Sequence, residues 1–102
     1  MFLIIDTETS EAKLANTIKE AALKTGIPYD NLAYQFSRKK NEVFESDGQH
    51  IRKVEDEHEA IRFYFEYAVK PKNKAEYLDT LVLPDGSKLE MYYEQGDFKA
   101  NQ

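Results

Sequence analysis

The chain reads as an α+β domain: one N-terminal helix packed on a mainly antiparallel, curled β-sheet of about five to seven strands. Three observations predict this class. From Ile61 to Lys70, large apolar residues (Ile61, Phe63, Phe65, Tyr67, Val69) alternate with Arg62, Tyr64, Glu66, Ala68 and Lys70, the period-2 pattern of a half-buried strand. Two turn signals, Asp47-Gly48 and Pro84-Asp85-Gly86, each sit between segments that suit strands. A single amphipathic stretch ends at Gly26 and is followed by Pro28, as a helix does.

Taken in order, Phe2-Leu3-Ile4-Ile5 is apolar on both faces, which places it centrally in the sheet. Thr9 or Ser10 is expected to cap a helix that carries Glu11 in its first turn and the stripe Leu14, Ile18, Ala21 and Ala22. Leu32, Tyr34 and Phe36 alternate between Asp30 and Arg38, which favours a strand over a short helix capped by Asp30. Arg38-Lys39-Lys40-Asn41 follows as a basic turn. Around Asp47-Gly48 the hairpin register pairs Glu45 with His50, Phe44 with Ile51, Val43 with Arg52 and Glu42 with Lys53. Glu55-Asp56-Glu57-His58-Glu59 is read as an acidic link into the strand that begins at Ile61.

That strand competes with a helical reading through Ile61, Phe65, Ala68 and Val69, and its density of aromatic residues favours the pleated surface. In the last hairpin Leu83 and Ser87 close the loop, so Leu81 faces Leu89, Thr80 faces Glu90, Asp79 faces Met91 and Tyr77 faces Tyr93. Residues 60–93 then form a three-stranded meander, and residues 95–102 a frayed polar tail. The whole, residues 1–102, is one domain, and a sheet curled around a helix as in cystatin-like folds is the architectural analogy.

Composition narrows the function classes. With 41% hydrophobic and 13% aromatic residues the chain has material for a core, unlike a disordered segment. It has no cysteine, which removes disulfides and thiolate metal sites and fits a cytoplasmic location. No apolar run is long enough to span a bilayer, so no membrane partner is expected. A net charge of −5 argues against general duplex-DNA binding, which depends on clustered Lys and Arg releasing counterions. His58-Glu59 lacks the second histidine of a zinc-peptidase helix, because Arg62 stands at that spacing, and the four glycines form no phosphate loop.

Ile4-Ile5-Asp6-Thr7-Glu8-Thr9 resembles the first motif of the DnaQ-like 3′ to 5′ exonucleases, where an apolar strand delivers an Asp-x-Glu pair to divalent metals. The resemblance implies Asp6 and Glu8 as metal ligands of a hydrolase. Asn41 to Glu45 is faintly similar to the second motif with Glu for Asp, and Tyr93 to Asp97 has the Tyr-x-x-x-Asp spacing of the third. The family is nevertheless set aside. Its fold needs a longer chain, and its first motif runs into a second strand where a helix is expected here.

The expected function is therefore that of a non-catalytic, small acidic interaction protein that needs no cofactor. It would bind or inhibit a protein partner, as a phage-encoded or immunity-type factor does. The contact surface is expected on the outer face of the meander, at Arg62, Tyr64, Glu66, Leu78, Val82, Glu90 and Tyr92, where tyrosines lie among charges. A metal-dependent hydrolase at Asp6 and Glu8, and a small-ligand module with its pocket between helix and sheet, are the alternatives.

Overall fold

A computed structural model describes residues 1–67, 75–94 and 97–101. The sheet is organised around β1 (Phe2–Asp6), whose Phe2, Leu3, Ile4 and Ile5 are all buried. A strand apolar on both sides needs cover on both sides, and β1 has it. It pairs antiparallel with β2 (Ala12–Ala15), Leu3 opposite Leu14, and with β4 (Gln49–Lys53), Ile4 opposite Ile51. With β3 (Val43–Ser46), β5 (Ala75–Val82), β6 (Lys88–Glu94) and β7 (Asp97–Asn101), the strand order is β3-β4-β1-β2-β5-β6-β7. Every pairing is antiparallel except β2 with β5, a parallel contact of two residue pairs, Ala12 with Leu81 and Lys13 with Val82.

Side-chain alternation gives the sheet two cores. On one face Leu3, Ile5, Leu14, Leu81, Leu83, Leu89 and Met91 pack under α3 (Glu57–Tyr67), which contributes Ala60, Tyr64 and Phe65. On the other, Phe2, Ile4, Ala15 and Ile51 meet α1 (Ile18–Thr25) through Ala21, α2 (Tyr29–Ala33) through Leu32, and the π-helical turn Tyr34–Arg38 through Phe36. The α+β class and a mainly antiparallel sheet with helices packed on it therefore hold. The helices number three among the described residues, and they divide between the two faces.

Both hairpins keep the register that their turns dictate. Glu45 faces His50, Phe44 faces Ile51 and Val43 faces Arg52 across Asp47-Gly48, and the Lys53 N–H donates to the Glu42 carbonyl at 2.8 Å. At the second turn the Leu83 N–H donates to the Ser87 carbonyl at 2.7 Å and Gly86 adopts φ +91°, so Leu81 faces Leu89 and Asp79 faces Met91. Beyond Asp79 the expectation fails, because a β-bulge between Tyr77 and Asp79 sets Tyr77 opposite Tyr92 instead of Tyr93.

Four further expectations are overturned. Ile61 to Tyr67 is helix, not strand: Ala60, Tyr64 and Phe65 are buried, while Arg62 and Glu66 are exposed. Residues 68–70 of that stretch lie outside the described residues. The first helix starts seven or eight residues later than a Ser10 or Thr9 cap implies, with Thr17 as its cap, because residues 12–15 pair with β1 as a strand. The Asp30 to Arg38 segment is helical, so Leu32 and Phe36 share one buried side while Tyr34 stays 45% exposed. Within the tail, residues 97–101 are not frayed: β7 pairs with β6, Tyr92 opposite Lys99, and the meander is β5-β6-β7, while residues 95, 96 and 102 lie outside the described residues.

Candidate functional site on the open half of the sheet

The face of the sheet that carries α1 and α2 is covered unevenly, and the reason lies at the end of α1. Gly26, at φ +77°, stops the helix, and its N–H donates to the Ala22 carbonyl at 2.9 Å. The final turn is then tied to the sheet. Lys24 Nζ donates to the Leu14 carbonyl at 2.8 Å, Lys13 Nζ to the Lys24 carbonyl at 3.3 Å, and Gln49 Nε2 to the Thr25 carbonyl at 2.8 Å. Past these anchors the same face, on β5, β6 and β7, presents exposed Lys88, Glu90, Lys99 and Asn101 with half-buried Val82 and Tyr92 between them.

Strand pairing sorts the polar residues of this face into rows. Asp6 lies opposite Gln49, and its N–H donates to the Glu11 carbonyl; Thr80 lies opposite Glu90. These residues make one row, rich in carboxylates. Lys13 lies beside Val82, which faces Lys88, and these make the next row, rich in ammonium groups. Between them opens a cleft of about 340 Å³ whose lining includes Asp6, Glu11, Lys13, Gln49, Thr80, Val82 and Lys88.

Asp6 is held by its own turn. Its Oδ1 accepts the Glu8 N–H at 2.8 Å and the Thr9 N–H at 3.0 Å. These backbone donors, Thr9 foremost, hold its carboxyl below the usual carboxylate value, and the nearby Lys13 charge adds to the effect. The turn is clamped from two sides, since the Thr7 N–H and hydroxyl both donate to the Gly48 carbonyl and the Tyr64 hydroxyl donates to the Ser10 carbonyl at 3.2 Å. Glu8 is exposed on this turn, and among the described residues no three His, Cys, Asp or Glu side chains are grouped to hold a metal ion. A second strand does follow the Asp-x-Glu segment, so the expectation of an immediate helix there was mistaken.

The residues singled out in sequence separate into two groups. Val82, Glu90 and Tyr92 share the open face. Arg62 and Glu66 are exposed on α3, across the sheet, and Tyr64 is buried under that helix, so the proposed continuous surface does not exist. Leu78 lies in β5, but its side chain is outside the described residues. Sequence reasoning missed Glu11, Lys13 and Gln49, because their place depends on β2 being a strand and on its parallel contact with β5. On the α3 face, the Arg52 guanidinium sits 3.6 Å from the Phe63 ring centroid. There too the His50 ring stacks on Tyr67 at 4.3 Å and reaches Glu45 Oε1 at 2.5 Å, contacts that fasten the helix to β4. No family model, curated protein or solved structure matches this chain.

Proposed function

We propose that the chain is a non-catalytic interaction protein that binds another protein through the face of β5, β6 and β7 on which no helix among the described residues packs. The supporting observation is the uneven cover of the sheet, which leaves Val82 and Tyr92 half-buried among exposed Lys88, Glu90 and Lys99. A rigid aromatic ring and a branched aliphatic side chain contribute contact area, while charges of both signs select a partner with the complementary pattern. Tyr92 is already oriented, its hydroxyl accepting the Asn101 Nδ2–H at 3.1 Å, so little freedom is lost when it is covered. The carboxylates on this face and the net charge of −5 favour a protein over duplex nucleic acid.

Affinity capture at low and high salt tests this reading with the chain and two variants, Val82→Glu and Tyr92→Ala, whose folding is checked by circular dichroism. The expected result is a partner retained at low salt, released as salt screens the charges, and lost by both folded variants. Retention of no protein at low salt, or equal retention by the variants, overturns it.

A further inference from the structure

The charged cleft at the edge of this face, which shares Val82 and Lys88 with it, has a character that protein docking does not require. Asp6 and Glu11 lie in one row, and Lys13 and Lys88 in the next. Among the described residues none of these four side chains forms an ion pair with another. Neighbouring charges of opposite sign that do not close on each other leave two separate fields in a small space, negative at one end and positive at the other. The Lys24 carbonyl accepts a hydrogen bond from one N–H of the Lys13 ammonium and fixes its position, and an ammonium has two further N–H donors. Asp6 is fixed likewise by the two backbone N–H groups on its Oδ1. Val82 supplies an apolar floor in the lysine row.

We propose that this cleft binds a small zwitterion whose ammonium and carboxylate are joined by an extended chain. The ammonium would lie against Asp6 and Glu11, the carboxylate against Lys13 and Lys88, and the methylenes over Val82. Same-face residues two apart on a strand are separated by about 7 Å, which sets the distance between the ligand's charges. An ω-amino acid or a dipeptide has this spacing. A simple anion would meet the Asp6 and Glu11 carboxylates, and a simple cation the two lysines, so neither satisfies both rows. A cleft of about 340 Å³ is at the small end of ligand sites and suits a molecule of this size.

Calorimetric titration of the full chain with 6-aminohexanoate and with diglycine, against hexanoate and hexylamine as single-charge controls, tests the proposal. At least one zwitterion is expected to bind saturably with one site, and both controls about tenfold or more weaker. Lys88→Ala and Glu11→Gln, each at an exposed position, should lower that affinity about tenfold without changing the melting temperature, whereas Lys39→Ala should leave it unchanged. No saturation by about 10 mM of either zwitterion, equal binding of a control, or indifference to both cleft variants overturns the proposal. Tyr92→Ala lies outside the cleft and should abolish partner capture while sparing the zwitterion, so the two readings fail independently.

Discussion

Asp6 and Asp85 do the same work at two turns. Asp6 accepts two backbone N–H groups after β1; Asp85 Oδ1 accepts the Ser87 N–H at 2.9 Å and the Ser87 hydroxyl at 2.6 Å after β5. In both, donors aimed at the ionised carboxylate hold the pKa below its ordinary value. A depressed folded-state pKa means that the unfolded chain binds the proton more readily. The stabilisation is then complete above the ordinary carboxylate pKa of about 3.9 and is lost as pH falls through the lower, folded-state value. Asp6→Asn keeps an oxygen that accepts both N–H groups but does not titrate. The stability advantage of the natural chain over Asp6→Asn should therefore be present at pH 6 and shrink progressively below about pH 4 in urea melts. An advantage that stays constant to pH 2 would show that the turn does not sense the Asp6 charge.

At the scale of elements, what was legible in sequence was local. Asp47-Gly48, Pro84-Asp85-Gly86 and Gly26 each fix backbone geometry through their own side chains or lack of one, so both hairpins and the end of α1 follow from a few adjacent residues. From Ile61 onward, periods of two and of 3.6 both fit the apolar residues, and aromatic content tipped the choice the wrong way. The deciding signal stands just upstream in the supposed acidic link. Asp56 accepts the Glu59 N–H at 2.8 Å, and Glu59 Oε1 reaches back to accept the N–H of Glu55, the residue before the cap, at 3.2 Å, a variant of the capping box spaced Asp-x-x-Glu. The same device opens α1, where Thr17 accepts the Glu20 N–H at 3.1 Å and Glu20 accepts the Asn16 N–H at 2.7 Å. Reading both boxes would have placed both helix starts. Asp56→Ala and Thr17→Ala should each destabilise the fold by about 1 kcal/mol, measured by chemical denaturation, and Asp56→Ser should recover most of the loss at α3. No loss in either alanine variant would mean that packing alone sets these starts.

At the scale of the molecule, the parts that sequence could not supply are those set by distant pairing. The strand identity of residues 12–15 comes from β1 and from a two-pair parallel contact with β5, and no adjacent residue announces either. This is also why Val82 and Glu90 were placed on the right face from hairpin parity while Glu11 and Lys13 were missed. So short a ladder is a weak joint between the β3-β4-β1-β2 half of the sheet and the β5-β6-β7 meander, and side-chain packing must carry the coupling. Leu81, Leu83, Leu89 and Met91 of the meander share one core with Leu3, Ile5, Leu14, Tyr64 and Phe65. The second core, by contrast, belongs to the first half alone. Among the described residues, cover on two faces against one predicts that the meander opens at lower free energy. Native-state hydrogen exchange should show amides of Phe2 to Ile5 opening with the global free energy and those of Lys88 to Tyr92 opening below it. Leu81 is fully buried at the joint, so Leu81→Ala should cost about 2–5 kcal/mol and widen the gap between the two sets. If both sets instead exchange at one free energy in the natural chain and in Leu81→Ala, the shared core binds the halves into a single cooperative unit despite the two-pair ladder, and the meander face is presented on a rigid support.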